Sequence, residues 1–401
     1  MLYALLRYVD IHNNNNKDYE MCQVNEHQFV VKYGRIENSK MEKIYSISEW
    51  DKIYAKKIKK GYIDMTRYVS NQSVNKYKKI DNDVIEALVN QLLRYANDYV
   101  EANYTIEKSD VTEMMLEQGQ NIVDRLSRYL EETGSYYRSS VPYFNELLGK
   151  LFTVIPRKMK DTHDYLAKTE KDYPAIIERE QKNLDILSSV CDTANNSSKK
   201  NTDKKTILET FGISIRECSE KEIEQTKSHL GAESAHLFDS VYYVSVDSLE
   251  ERQQQYMKAH NLNNKDIHYF YHGSKNENIW SLIKNGPTNK HKTLNGSMFG
   301  KCSAYLAPRA KKSIGYTSLR GSYWASGSSN TAFMLVMKAV YKKPLDVYTY
   351  SNDYSCMTEK KLNNLGYDSL FAHKGTMLLN DEVCIYNDAQ IVPRYLIKLK
   401  A

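Results

Sequence analysis

The chain has 401 residues, a formal net charge of +6 and an apolar fraction of 41%. This length predicts two or three domains, and the small net charge makes nucleic acid a credible partner only where basic residues cluster. The apolar runs are far shorter than the ~20 residues of a membrane span, and the N-terminus lacks a signal-peptide pattern. Six scattered cysteines without zinc-ligand spacing predict reduced thiols, no bound metal and an intracellular protein.

Residues 1 to about 70 are expected to form short strands. The segments ALLRYVDI, YEMCQV and QFVVKYGRI carry apolar and β-branched residues between turn-rich stretches. One helix is expected to begin near Ser48. Five lysines and no acidic residue lie between Lys52 and Lys60, a run that forms either a solvated helix face or a surface that attracts phosphates.

From about 75 to 192 the apolar residues recur with the period of a helix. The clearest pattern predicts a helix that Ser109 caps and Gly134 follows. Its apolar face is predicted to contain Val111, Met114, Met115, Ile122, Leu126, Tyr129 and Leu130. Similar patterns cover 83–104, 143–153 and 176–191. Together they indicate a small helical bundle, and the polar segment 192–205 is expected to be a flexible boundary.

After residue 206 helical and strand patterns mix. Ser219 and Glu222 form a capping-box pattern, which marks the start of a helix. Strands are predicted at 240–246, 267–271, 332–340, 382–386 and 395–399. This half of the chain is therefore expected to be α+β.

Three segments of this half carry an ordered set of motifs. The strand-like YFYHGSK at 269–275 ends in a histidine, a glycine and a serine, which alone would indicate only a turn. NGSMFGKCSAYLAPRAKKSIGYTS follows at 295–318, and MLLNDEVCIYNDAQIVPRYLIKLK at 377–400. In order and approximate spacing these segments resemble the catalytic domain of the poly(ADP-ribose) polymerases. Its signature is His-Gly-Ser, a FGKGIYFA segment followed by Lys-Ser and a Tyr, and a late Glu that opens a strand.

The resemblance extends upstream. NNNKDYEMCQ, FVVKYGRIE and KKIKKGY look like a WGR domain, while FTVIP and LDILSSV look like the regulatory helical domain of the family. The implied fold is multidomain α+β, similar to that of the short, DNA-dependent members. It comprises a small β-rich WGR-like DNA-binding domain at 1–72, a regulatory α-helical bundle at 76–200, and a mixed α/β ADP-ribosyltransferase catalytic domain with antiparallel sheets at 206–401.

The resemblance implies an enzyme that transfers ADP-ribose from NAD, which serves as a co-substrate, with no metal. Its catalytic residues would be His272, Tyr305 and Glu382. Because the nicotinamide nitrogen of NAD is a cationic pyridinium, the leaving group departs neutral without a proton donor. One carboxylate, that of Glu382, can then stabilise the oxocarbenium-like transition state and accept a proton from the acceptor.

Other family positions imply the NAD-binding residues. Gly273 and Ser313 would bind the nicotinamide carboxamide, and Tyr316 would stack on the nicotinamide ring. A side chain at Gly273 would obstruct this approach. Ser274 and Asn278 would reach the adenosine ribose.

Lys312 and Met298 fall where the family handles chain extension and the acceptor. The chain also departs from the family pattern. The segment at 302–305 is one residue longer than in the family, Thr288 stands where an adenine-contacting Arg is expected, and Asn380 replaces a Tyr. The last change bears on polymer elongation.

In the WGR-like region Tyr33 takes the place of the name-giving Trp, whereas Gly34 and Arg35 are retained. Tyr33 would stack at a DNA end, and Arg35 would bind phosphate or bridge to the helical domain. A simple strand and turn is the alternative. Asp185 matches a helical-domain acid that faces the NAD cleft. Nicked or broken DNA would then loosen the helical domain and admit NAD.

The expected partners are DNA strand breaks, protein acceptors including the chain itself, and an accessory factor at the active site, with no membrane involved. These expectations describe a DNA-break-stimulated poly(ADP-ribose) polymerase, located in the nucleus if the source is eukaryotic. Two alternatives stay open. The chain could be a mono-ADP-ribosyltransferase that modifies protein or DNA ends, or an inactive scaffold that binds DNA ends.

Overall fold

The chain forms two compact units in a computed structural model. The model describes residues 2–10, 13–36, 40–66, 77–106, 111–133, 140–191, 205–288, 298–375 and 378–401. One unit joins 1–75 with 98–200, and the other joins 76–97 with 201–401. Both contain helices and antiparallel strands, in agreement with the predicted α+β class. The boundaries of the three domains stay predictions.

The first unit begins with a five-stranded antiparallel sheet in the order β4-β3-β2-β1-β5. Its strands are β1 (Tyr3–Asp10), β2 (Asn15–Gln23), β3 (Gln28–Arg35), β4 (Met41–Ser46) and β5 (Ile63–Asp64). Helix α1 (Trp50–Lys59) follows a short 3₁₀ turn, close to the predicted start near Ser48. Alternate strand residues point to one face of the sheet, where Leu6, Met21 and Phe29 are buried with Trp50 of α1.

Four long helices match the four amphipathic segments of the sequence. They are α2 (Asp83–Asn103), α3 (Glu113–Thr133), α4 (Val141–Val154) and α5 (Tyr173–Val190). The boundary between the two units falls within α2, after Asn97. In the first unit α4 and α5 pack through the rings of Phe144 and Tyr173, which are stacked at 3.9 Å between centroids.

The predicted start of α3 was wrong. The helix begins at Glu113, and Thr112 Oγ1 accepts a hydrogen bond from Met115 N at 3.2 Å, so Thr112 caps it. Met114, predicted on the apolar face, is 46% exposed because the buried face is centred on Met115, Val123 and Leu126. Ser109, Gly134 and nearly all of the predicted boundary at 192–205 lie outside the described residues.

The rest of the second unit alternates helices and strands. In chain order these are α6 (Ile207–Phe211), β6 (Ile213–Glu217), α7 (Glu220–Leu230), β7 (Phe238–Val246), α8 (Asp247–Ala259), β8 (Ile267–Gly273), α9 (Asn276–Asn285), β9 (Ala304–Leu306), α10 (Ala310–Ile314), β10 (Thr331–Val340), β11 (Pro344–Val347), α11 (Glu359–Asn364), β12 (Ser369–Ala372), β13 (Glu382–Ile385) and β14 (Ile391–Lys400). The predicted capping box of α7 is confirmed by reciprocal hydrogen bonds between Ser219 and Glu222.

These strands form two sheets that together position the candidate site. The larger sheet has the order β6-β7-β14-β10-β8 and is antiparallel, and the smaller has the order β11-β12-β13-β9, in which β11 and β12 are parallel. Tyr271 of β8 and Ala307 exchange two main-chain hydrogen bonds of 2.9 Å. This bridge joins the edge strand of one sheet to the end of β9 in the other.

Of the helices in the described part of the chain, none is both long and apolar enough to cross a bilayer.

Candidate active site

His272 lies near the end of β8, opposite Leu335 of the neighbouring strand β10. Its ring atom Nδ1 lies 3.1 Å from the main-chain oxygen of Tyr305 in β9. The bridge between Tyr271 and Ala307 sets this distance, because it fixes β8 and β9 side by side. Two residues predicted to be catalytic, 33 positions apart in sequence, are thereby brought together.

Gly273 follows directly and permits a close approach of the main chain. A Cβ atom built at this position would lie 1.8 Å from the main-chain oxygen of Ser313 in α10. A glycine is therefore required by the protein itself. From the sequence, a side chain at this position was expected to obstruct NAD. In the structure, the atom that such a side chain would meet first is the main-chain oxygen of Ser313.

Glu382 opens β13 and is 9% exposed. Lys312 of α10 forms an ion pair with Glu382, in which Nζ contacts Oε1. The next strand, β9, pairs with β13 so that Tyr305 lies opposite Cys384, two residues after Glu382. Burial of a carboxylate is costly unless a cation or hydrogen-bond donors compensate it, and Lys312 supplies that compensation.

Tyr305 is held at both ends. Its main-chain oxygen faces His272, and its phenolic oxygen accepts a hydrogen bond from Phe299 N at 3.0 Å. Met298, predicted to contact the acceptor, packs at the margin of the same apolar cluster. The ring of Tyr305 therefore also organises the loop that precedes β9.

The longer segment at 302–305 has a defined conformation. Gly300 has a φ of 73°, and a Cβ atom there would lie 2.2 Å from Met357 O. Ser303 N donates to Ile385 O at 2.7 Å, which ties the segment to β13. Cys302 is buried and hydrogen-bonds to the thiol of Cys384, whose pKa burial raises well above its ordinary value.

Asp388 hydrogen-bonds to Thr288 and Ser303, two positions at which the chain departs from the family pattern. Thr288 Oγ1 donates to Asp388 Oδ2 at 2.7 Å. Ser303 Oγ donates to the other carboxylate oxygen, Oδ1. The threonine that replaces an expected arginine and the serine of the longer segment thus share one acceptor.

Ser274 and Asn278 lie where β8 passes into α9. Asn278 Nδ2 donates to Ser274 Oγ at 2.8 Å. Within the described part of the chain, Asn278 Oδ1 is buried without a hydrogen-bond partner. An amide oxygen in this state is suited to accept a hydrogen bond from a hydroxyl group.

Tyr316 follows α10, and 41% of its surface is exposed. Burial, and next the charge of Glu382, raise the pKa of its phenol above the ordinary value. The ring lies near-parallel to that of Trp324, at 16° and 6.0 Å between centroids. Trp324 was not singled out from the sequence, because a Trp eight residues further along a loop carries no local signal.

The first unit contains the remaining predicted residues. Tyr33 pairs with Tyr19 across β3 and β2, and their rings are tilted at 5.8 Å between centroids. Gly34 lies opposite Asp18 in the same ladder. Asp185 of α5 accepts a hydrogen bond from Gln181 Nε2 at 2.9 Å.

The side chain of Arg35 donates to four oxygen atoms of the first unit. Nη1 donates to Asn14 O at 2.9 Å, and Nη2 contacts Asn14 Oδ1 at 3.1 Å. Nη2 also donates to the main-chain oxygens of Met159 and Lys160, both at 3.0 Å. Arg35 therefore fastens β3 to the segment between α4 and α5.

Among the residues that the structure describes, no three His, Cys, Asp or Glu side chains are arranged to hold a metal ion. The six cysteines are free thiols.

Comparisons with known proteins bear on this half of the chain. Residues 215–361 match the family model of the poly(ADP-ribose) polymerase catalytic domain, a segment that includes His272 and Tyr305 and ends before Glu382. The chain is also 33% identical over 178 residues to uncharacterized protein 101L of Invertebrate iridescent virus 6, an alignment that spans 44% of this chain and 73% of that protein. Residues 215–361 are therefore similar to the catalytic domain of the poly(ADP-ribose) polymerases, which supports an ADP-ribosyltransferase class for this part of the chain.

Proposed function

We propose that this chain transfers ADP-ribose from NAD to protein acceptors, extends the product into chains, and is stimulated by DNA strand breaks. The observation that carries the proposal is the pairing of the largely buried Glu382 carboxylate with Lys312, one strand away from the contact between His272 and Tyr305. Ionisable groups removed from water beside a specific charge partner are candidates for chemistry. The catalytic-domain match supports the same activity.

NAD enters as the substrate, and its adenosine ribose is assigned to the end of β8. Asn278 Oδ1, buried and unpartnered within the described residues, can accept a hydrogen bond from a ribose hydroxyl. His272 and Ser274 offer a ring nitrogen and a hydroxyl at the same strand end. The opposite part of NAD, the nicotinamide, is assigned to Gly273, Ser313 and the exposed face of Tyr316.

The bond between the nicotinamide nitrogen and the ribose carbon breaks, and its electron pair goes to the nitrogen, which becomes neutral. The ribose carbon gains positive charge, which the Glu382 carboxylate stabilises. The acceptor oxygen then bonds to this carbon, and its proton passes to Glu382. Lys312, which contacts Glu382, keeps the carboxylate in position and lies where the acceptor would approach.

A single assay tests the proposal. The full chain is incubated with labelled NAD, with and without a nicked DNA duplex, and the products are separated by size. A ladder that depends on DNA supports the polymerase, a single band supports the mono-ADP-ribosyltransferase, and the absence of product supports a scaffold. Glu382→Gln should lower product formation by at least ~100-fold. Asp381→Asn, a neighbouring acid outside the site, is the control and should retain activity.

The mono-ADP-ribosyltransferase is kept as a second candidate because of Asn380. This residue is half-buried two positions before Glu382, where the family has a tyrosine. Asn380→Tyr should lengthen the products if this position limits elongation. Products of unchanged length would remove the reason for this candidate.

Regulation by DNA is proposed to act through the helical region, including Asp185. Support comes from α2, where the ring of Tyr95 packs edge-on against Phe333 of β10, with 6.3 Å between the ring centroids. Asn82 Nδ2, just before α2, also donates to Glu217 Oε1 at 3.1 Å. Tyr95→Ala should raise the DNA-independent rate several-fold. Equal rates with and without DNA ends in the unmodified chain would contradict the regulatory proposal.

A further inference from the structure

The ring of Tyr316, which follows α10, packs against the indole of Trp324. The two rings are near-parallel, at 16° and 6.0 Å between centroids, which lies within the range of favourable offset-stacked aromatic pairs. Both side chains stay partly exposed, so the indole does not enclose the phenol. Trp324 therefore restrains one side of the Tyr316 ring and leaves ring surface open to a further partner.

The main chain of Trp324 is tied to the residue that directly precedes Tyr316. Trp324 N and Ala325 N donate to Gly315 O at 2.9 and 3.0 Å. A Cβ atom built at Gly315 would lie 3.0 Å from Trp324 Cδ1, so the indole also packs closely on this main chain. The position of the indole is thus set by the same short segment that carries the phenol.

The loop that carries the indole is closed by further hydrogen bonds. The buried Ser322 hydroxyl donates to Thr317 O at 2.7 Å and accepts from Gly327 N at 2.9 Å. At the base of the loop, Ser329 N donates to Ser318 O at 2.9 Å. These bonds span the loop in both directions along the chain, so the direction of the indole is built into the fold.

The backbone of the same loop adopts conformations that its contacts must maintain. Ser326 has a φ of 48°, in the left-handed region that non-glycine residues seldom adopt. At Gly327 a Cβ atom would lie 2.2 Å from Leu319 O. Such conformations persist only where the surrounding structure fixes them, and they are common at functional sites.

The restrained ring lies beside the other predicted NAD-binding groups. Burial is the larger cause of the raised pKa of the Tyr316 phenol, and the charge of Glu382 is the next. Tyr316 N donates to Ser313 O at 3.0 Å, and this oxygen is the atom that a Cβ at Gly273 would meet. A shift of the Tyr316 ring would thus occur within the candidate site, where an error of about 1 Å can lower a rate about 100-fold.

We propose that Trp324 is a positioning residue for NAD, because it holds the Tyr316 ring at the angle and place that stacking on the nicotinamide requires. The inference rests on the proposed function, in which Tyr316 contacts the nicotinamide. Trp324 acts through Tyr316 and does not itself touch the substrate. A ring that is already restrained loses less conformational freedom when the substrate binds, so the indole strengthens the binding of NAD.

The first test compares the KM for NAD with kcat in the full chain. Trp324→Ala should raise the KM about three- to tenfold, the range expected for loss of one aromatic pair. Trp324→Phe keeps a flat ring at this position and should restore the KM. Tyr348→Ala removes an exposed tyrosine of the smaller sheet and is the control, with an unchanged KM. A fall in kcat at unchanged KM would mean only that less of the enzyme is folded, and would overturn the proposal.

The second test needs no turnover and uses labelled benzamide, which carries a ring and a carboxamide like those of nicotinamide and cannot be transferred. Equilibrium dialysis with the full chain and a nicked duplex should show weaker binding by Trp324→Ala and restored binding by Trp324→Phe. The other two tryptophans, Trp50 and Trp280, are buried, so acrylamide quenching of the emission reports Trp324. Bound benzamide should leave this quenching unchanged.

Increased quenching on binding would show that the indole had occupied the nicotinamide side of Tyr316 and had been displaced, which would overturn the proposal. Failure of the proposed function gives a different result. An unmodified chain that neither binds benzamide nor transfers ADP-ribose contradicts the proposed function and this inference with it. An unmodified chain that does both, and that the Trp324→Ala variant equals, contradicts this inference alone.

Discussion

Strands β3 and β8 both end with a glycine beside a polar residue, Gly34 with Arg35 and His272 with Gly273. The two strand ends have different structural roles. At the end of β3, Arg35 donates to four oxygens of the same unit and fastens strand to loop. At the end of β8, Gly273 lets the main chain of Ser313 approach closely. The first end stabilises the fold, and the second brings side chains of two helices and two sheets to one place. The motif alone does not distinguish them, whereas the neighbouring atoms do.

The largest effect is expected for Gly273→Ala. The added Cβ atom would lie 1.8 Å from Ser313 O, so β8 and α10 must separate. We expect a loss of transferase activity of at least ~100-fold, because a displacement of about 1 Å suffices for that. The free energy of unfolding should fall by about 1–3 kcal/mol. Both are measured against Gly375→Ala, whose Cβ atom would lie 3.5 Å from Tyr348 O, an ordinary contact. Full activity in the Gly273 variant would show that the close approach does not position the site.

The next effect concerns the other strand end. Arg35→Ala should lower the free energy of unfolding by about 2–3 kcal/mol, because a charged donor is lost and main-chain oxygens lose their partner. Urea denaturation measures this, with Lys43→Ala on exposed β4 as the control. If Arg35 instead binds DNA phosphate, stability stays unchanged and the slope of binding against salt falls by about 1. That result would make the two strand ends alike in function.

The smallest effect is expected for Lys57, which lies in helix α1 of the first unit. Burial, followed by the charges of Lys60, Lys56 and Lys17, lowers the pKa of Lys57 to about 8. Its ammonium lies 3.6 Å from the centre of the Tyr19 ring.

The pH dependence follows from this lowered pKa. Because the pKa in the folded state lies below that of the unfolded chain, about 10.4, the unfolded chain binds more protons between these values. The contribution of this group to stability therefore rises as pH increases from about 8 to 10 and is least favourable below pH 8. Lys57→Met should remove this rise in urea titrations across that range, and Lys52→Met should keep it. An identical rise in both variants would contradict the assignment.

Many of the longer elements could be predicted from the sequence because their periodicity is strong, whereas α8 (Asp247–Ala259) was not predicted. All four helices between 83 and 190 and the strands β7, β8, β10, β13 and β14 appear where apolar spacing placed them, with shifted ends. The strands β9, β11 and β12 are three or four residues long. Segments this short show too little alternation to be recognised, and their pairing depends on distant partners.

The sequence motifs name residues of the candidate site, whose roles stay predictions, and they do not reveal the contacts among these residues. The motifs named His272, Tyr305 and Glu382, but the pairing of Lys312 with Glu382 joins positions 70 residues apart and has no local sequence signal. The sequence left two roles open for Arg35, phosphate binding or a bridge to the helical region. Its bonds to the main chain at 159 and 160 favour the bridge.

The shared acceptor Asp388 makes two family differences a single coupled change. Thr288 and Ser303 each occupy one oxygen of its carboxylate. An arginine restored at 288 alone would compete with Ser303 for that carboxylate and pull on the segment that leads to Tyr305. Restoring the family residue would therefore require shortening the segment at the same time. A substitution at either position is therefore expected to alter the effect of a substitution at the other.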